Sequence, residues 1–158
     1  MKVLVTGATG FIGMHIAKAL QQAGYDVVGA VRNPEYGNNL YPHIRYVQCD
    51  FAAMTSSDDW RPLLDDVDVV INVVGIITES KRSTFERIHV EAPIALFDAC
   101  EHAEVKKVIH ISALGVSDEA HTAYNNTKKK ADDYLLARNT PAVVLRPSWL
   151  YGTRSASL

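Results

Sequence analysis

The sequence predicts an α/β fold, an open parallel sheet with helices on both faces, and two observations carry that prediction. Short apolar, β-branched runs alternate with segments whose apolar residues recur every three or four positions, the pattern of strands joined by crossover helices. The first run, Val3-Leu4-Val5, stops at Thr6-Gly7, and glycines follow at three-residue spacing, Gly7, Gly10 and Gly13, before an amphipathic stretch from Phe11 to Ala23. Strand, tight turn and helix in that order aim free backbone N–H groups and the positive end of a helix dipole at one point. A pyrophosphate is held there without a charged side chain, with Gly7 taking a positive φ, Gly10 letting the phosphate approach and Gly13 letting helix pack on strand. Thr9, Phe11 and Ile12 complete this cofactor-binding turn.

The remaining elements follow in order. Gly24 is the expected residue just past the first helix, and Asp26 to Val31 reads as a second strand, apolar on both faces as covered parallel strands are. An acidic residue near that strand's end hydrogen-bonds the adenosine ribose in folds that select NAD. Here Val31 is followed by Arg32, which suits a 2′-phosphate, so the expected cofactor is NADP with NAD as the alternative. Arg32 also reads as a solvated surface residue. The segment from Asn33 to Pro42 carries turn signals and is expected as a loop. Ile44 to Cys49 is a third strand, and Asp50-Phe51 follows on the cofactor side. Asp50 either accepts a hydrogen bond from the adenine amino group or caps the next turn.

Thr55 to Asp59 offers N-cap residues for a short helix around Trp60 to Leu64. Val67 to Val74 is a fourth strand, and Asn72, Val73, Val74 and Gly75 are expected to pass under the linking phosphates and nicotinamide ribose, unless Asn72 only closes the strand end. A long helical pattern covers Glu79 to Ala103, with Pro93 expected to kink it and His89 expected in a hydrogen-bonded structural role. Lys107 to Ser112 and Ala142 to Arg146 are the last two strands, with a helix over about Thr122 to Arg138 between them. Six strands so connected make a doubly wound, Rossmann-type parallel sheet of order 3-2-1-4-5-6, with the ligand crevice beside the first strand.

Composition limits the function. The chain has 158 residues, 47% of them hydrophobic and 22% charged, and a net charge of -2, which is the size and makeup of a single domain, 1–158, with no electrostatic footprint for nucleic acid. Cys49 and Cys100 have no companions at metal-ligand spacing, so no metal site is expected and both read as reduced thiols of a cytoplasmic protein. No run approaches the roughly 18 apolar residues of a membrane span, so no membrane insertion is expected.

Tyr124 and Lys128 stand four residues apart at the start of a helix, on one face. The lysine charge is expected to lower the phenol pKa, making Tyr124 a general acid toward a carbonyl oxygen, while Lys128 also holds ribose hydroxyls.

Taken together, Thr6 to Gly13, Tyr124 with Lys128, and Leu145 to Gly152 resemble the extended and atypical short-chain dehydrogenase/reductase superfamily, which includes NAD(P)-dependent sugar epimerases and dehydratases. Asn72 to Gly75, Phe85 to Pro93 and Ile111 to Gly115 look most like its atypical branch, which contains the dehydrogenase-like accessory subunit of respiratory complex I and its bacterial relatives. The resemblance implies an NAD(P)-dependent oxidoreductase or epimerase-type enzyme acting on a small-molecule substrate that the sequence does not identify. It implies Tyr124, Lys128 and Ser112 as catalytic residues, and helices around Phe85 to Cys100 and Thr122 to Arg138 that pair in a homodimer unless their apolar faces belong to the core. A quinone or flavin partner is suggested by the complex I likeness alone.

Two departures from the pattern point to an alternative. The expected Ser-Ser pair after the fifth strand reads Ser112-Ala113, so Ser112 is either the catalytic serine or a structural neighbour. Relatives with full substrate sites continue well beyond the position of Leu158, so the chain is expected to be a fragment or a cofactor-binding domain without a substrate lid. The alternative is a non-catalytic dinucleotide-binding protein that senses redox state or stabilises an assembly.

Overall fold

The computed structural model describes residues 1–119 and 121–152. The last residues of the expected domain, 153–158, and one position of the loop between Val116 and His121 therefore lie outside the described residues. Six strands form one parallel sheet: β1 (Lys2–Thr6), β2 (Asp26–Val31), β3 (Arg45–Gln48), β4 (Val69–Asn72), β5 (Lys107–Ile111) and β6 (Ala142–Leu145). Their order, β3-β2-β1-β4-β5-β6, is the expected one. Val5 pairs with Gly29 on one side and Ile71 on the other, so β1 is the central strand at which the chain reverses direction across the sheet.

Helix α1 (Phe11–Gln22) ends at Ala23, and Gly24 follows with φ +86°, which a residue without Cβ adopts at no steric cost. The expected loop after β2 is instead a helix, α2 (Pro34–Leu40). Asn33 caps it, its side chain accepting from the Tyr36 N–H, and Pro34 stands at the first helical position, where its missing donor costs nothing. Gly37, a turn signal in the sequence, is there for packing: a Cβ on it would lie 2.6 Å from the Tyr46 ring.

Helix α3 (Ser57–Trp60) opens with a reciprocal cap between Ser56 and Asp59 and runs into a 3₁₀ turn, Arg61–Leu63. It delivers Trp60 into the core, where the indole N–H donates to the Met54 carbonyl and the ring meets Phe51 edge-on at 5.0 Å.

After β4 the chain enters a π-helical segment, Glu86–Glu91, that continues directly into α4 (Ala92–His102). The irregularity expected at Pro93 takes this form. A proline ring clashes with the carbonyl four residues back, and one wide turn, closed by Ala92 N–H donating to the Arg87 carbonyl, relieves the clash without ending the helix. Helix α5 (Ala123–Leu136) is capped by Thr122, which accepts from the Asn125 N–H. Leu4, Val28, Val70 and Val108 face α3, α4 and α5 in one core layer, while Val3, Val5, Val27 and Ile71 form the other with Ala17 of α1. Leu96, Phe97 and Ala99 of α4 and Ala131 and Leu135 of α5 belong to this core, while Leu136 of α5 is exposed. No described helix is long and apolar enough to cross a membrane.

Candidate functional site

A cleft of about 920 Å³ opens at the carboxyl ends of β1, β2, β3 and β4, within the size range of cofactor sites. Its floor is the glycine turn. Gly7 has φ +65°, which bends the chain off β1, while its N–H donates to the Ala30 carbonyl of the neighbouring strand β2. Gly13 is required by contact: a Cβ there would lie 2.2 Å from the Gly7 carbonyl oxygen. The first turn of α1 has no acidic residue and no side-chain cap, so its N–H groups are open to an anion. This donor set fits a dinucleotide pyrophosphate.

Of the residues expected to bind cofactor, Gly7, Thr9, Gly10, Phe11, Ile12, Gly13, Arg32, Asp50, Phe51, Val73, Val74 and Gly75 line this cleft. Asn72 is not among its lining residues. Its side chain is fully buried, accepting from the Thr6 hydroxyl at 2.7 Å and facing His110 Nδ1 at 3.0 Å, so it ties strands together beneath the floor. Asp50 does cap its turn, Oδ1 accepting from Ala52 N–H, while Oδ2 pairs with Arg82 from the loop after β4. Sequence reasoning missed Tyr36 and Asn33, which line the cleft beside exposed Arg32. The Asn-Pro pair that starts α2 was the available signal.

Lys128 and Tyr124 are not among the residues that line this cleft. A Cβ on Gly75 would lie 3.8 Å from Lys128 Nζ and 3.6 Å from His89 Nε2, so both side chains pack against this glycine. Lys128 is 3% exposed and donates to the Ile111 carbonyl at 2.8 Å. Burial pulls its pKa down to about 8, against the opposing pull of the Asp132 charge.

The expected lowering of the Tyr124 pKa is not found. Burial raises it, and the ring packs edge-on against Phe85 and His89. The lysine side chain is drawn down to Ile111, and desolvation then decides the sign for the phenol.

His89 has the structural role expected of it: Nε2 accepts from Ile76 N–H at 3.0 Å, and Nδ1 donates to Thr127 Oγ1 at 3.1 Å. Burial, reinforced by the Lys128 charge, lowers its pKa to about 4, so the ring is neutral. Ser112 is committed to Asp132, its hydroxyl donating to Oδ2 at 2.8 Å from a buried position. Cys49 and Cys100 are buried free thiols, and burial pushes both pKa values up to about 12, far from nucleophilic character.

The strand order, the glycine turn beside β1 and the cleft above it define a dinucleotide-binding domain of the Rossmann type. The chain belongs to the NAD(P)H-binding family, whose model matches residues 7–157. It is 28% identical over 155 residues to the mouse mitochondrial NADH dehydrogenase [ubiquinone] 1 alpha subcomplex subunit 9, a match covering 94% of this chain and 40% of that protein. It is 26% identical to ceramide reductase of Caulobacter vibrioides, covering 95% of this chain and 46% of the relative. The chain thus spans less than half the length of these curated relatives.

Among solved structures, UDP-glucuronic acid 4-epimerase from Bacillus cereus in complex with NAD superposes with a TM-score of 0.79 at 30% identity, over 98% of this chain and 59% of that one. A putative NAD-dependent epimerase/dehydratase from Bacillus halodurans shares the fold, with a TM-score of 0.82 at 24% identity, over 99% of this chain and 74% of that one. These matches place the chain in the extended short-chain dehydrogenase/reductase, epimerase-like superfamily and make its cofactor a nicotinamide dinucleotide.

Proposed function

We propose that this chain is the cofactor-binding part of an NADP-dependent oxidoreductase or epimerase-type enzyme. The observation that carries the reading is Gly75, which lines the cleft with the glycine turn and against which Lys128 and His89 pack, with Tyr124 edge-on to the His89 ring. A nicotinamide bound along this floor supplies hydride chemistry. The chain's residues do the rest. The first-turn N–H groups of α1 hold the pyrophosphate, Arg32 holds a 2′-phosphate and Asp50 lies against the adenine. Lys128 donates to ribose hydroxyls. Tyr124, kept protonated by burial, holds the proton that a carbonyl oxygen takes up on reduction. Ser112 supports this arrangement through Asp132, which its hydroxyl already engages.

The NADP preference rests on Arg32, the exposed cation at the end of β2 where no carboxylate stands to receive a ribose 2′-hydroxyl. Calorimetric titration with NADPH and NADH at one pH and salt concentration tests it. NADPH is expected to bind about tenfold more tightly or better, and Arg32→Glu to remove that margin, since a charged hydrogen bond is worth about 1.5–3 kcal/mol. Equal affinity for both cofactors in the unaltered chain would remove the NADP assignment, and binding of neither would remove the cofactor role of this chain.

A further inference from the structure

The loop between β4 and the π-helical segment is hydrogen-bonded within itself. Ser80 N–H donates to the Ser83 carbonyl at 3.0 Å and Ser83 N–H to Ser80 Oγ at 3.1 Å, which makes a reciprocal turn. Phe85 N–H donates to Glu79 Oε1 at 2.6 Å, and at the root of the loop Ile76 N–H donates to His89 Nε2 at 3.0 Å. Ile76, Ile77 and Ser83 line the cleft, so this ordered loop is part of its wall.

Arg82, within that turn, donates to Asp50 Oδ2 at 2.5 Å. Asp50 follows β3 and Arg82 follows β4, and β2 and β1 lie between those strands in the sheet. The pair therefore joins the two sides of the cleft. Asp50 itself lines the cleft, and its Oδ1 is committed to Ala52 N–H at 3.0 Å. Oδ2 is the acceptor left for a ligand, and a guanidinium already stands on it. The Arg82 side chain is 73% exposed and the Asp50 side chain 27%, so water screens the pair and its closure shifts an equilibrium by about two- to fivefold. A contact of that size adds little to the fold, yet it weighs directly against a ligand that needs the same oxygen.

We propose that Arg82 is an autoinhibitory strap at the adenosine end of the cleft: it holds Asp50 in the free chain, and the amino group of an arriving adenine has to displace it. This rests on the reading of Asp50 as the residue that lies against the adenine. The exchange is one of hydrogen bonds alone. The adenine amino group, a donor, replaces the guanidinium on Oδ2, and the guanidinium returns to water. The loop then loses its tie to the β3 side, while the Ser80–Ser83 turn and the His89 anchor keep its shape. The strap opens on binding, the reverse of a lid that closes over its ligand.

Arg82→Gln tests it, by calorimetric titration with NADPH and with the hypoxanthine analogue of NADPH, in which an oxo group replaces the adenine amino group. Removing a cation from beside an anionic ligand weakens binding on charge alone. Release of Asp50 acts the other way, so at low salt Arg82→Gln is expected to bind NADPH about two- to fivefold more tightly than the unaltered chain. The gain is expected to shrink as added salt screens the pair, and to be absent with the analogue, which has no amino group to donate. Unchanged NADPH affinity in Arg82→Gln would overturn the proposal by making the pair an idle surface contact. Weakened affinity would overturn it by making Arg82 a cation that holds the ligand, and an equal gain with the analogue would overturn the competition for Asp50. Binding of NADPH by the unaltered chain without the gain removes the strap alone, whereas binding by neither chain removes the cofactor reading and the strap with it.

Discussion

The two ends of the cleft are made of different material. At the glycine turn the working groups are backbone: N–H groups of the α1 first turn, a Gly7 at φ +65°, and a Gly13 whose missing Cβ lets the helix rest on the Gly7 carbonyl. Beyond Gly75 the groups proposed to work are side chains sunk into the protein, each held by another: Lys128 by the Ile111 carbonyl and Ser112 by Asp132, beside a His89 fixed by Ile76 and Thr127. A backbone site depends on local geometry that three glycines specify. A side-chain site depends on partners brought from distant parts of the chain, and its protonation states follow from burial more than from the motif itself.

The sharpest way to separate the ends is Tyr124→Phe. In an assay on a carbonyl or nucleotide-sugar substrate, turnover is expected to fall about 10²–10⁴-fold, the range of a lost general acid, while calorimetric NADPH affinity stays within about twofold. A matched loss of affinity would mean that the two ends are not separable.

Gly13→Ala attacks the other end. The added methyl has nowhere to go, so urea unfolding is expected to show a destabilisation of about 1–3 kcal/mol and cofactor affinity to fall with it. Unchanged stability and affinity would show that the turn can spread without cost.

The smallest effect is expected from His89→Gln, read as pH dependence. The folded-state pKa is lowered from 6.5 to about 4, so the unfolded chain binds more protons between those values and stability falls as pH drops through that window. His89→Gln should reduce that loss when urea midpoints are compared at pH values above and below the window.

The same contrast explains what could be read before the structure. The span of β2, the position of Gly24, the positive φ of Gly7 and the close helix packing at Gly13 follow from local rules, and the structure agrees with them. The segment after β2 was misread because Gly37 and its neighbouring asparagines mimic a turn, while the reason for Gly37 is the Tyr46 ring, which arrives from β3. The Tyr124–Lys128 spacing puts both residues on helix α5 but gives the wrong sign for the phenol, because the depth of both groups depends on Phe85, His89 and Ile111, none of them near in sequence. Asn72 was placed at the right strand end, but its two partners, Thr6 and His110, lie on the neighbouring strands β1 and β5.

The stacking of Gly13 on the Gly7 carbonyl has a consequence for the thermodynamics of ligand capture. At Gly13 the first turn of helix α1 meets the turn after β1 with no side chain between them, so the cradle is ordered when the chain folds and the configurational entropy of shaping it is lost then. An arriving dinucleotide loses its own freedom but does not have to organise its receptor, and the association free energy at this end is correspondingly undiminished by rearrangement.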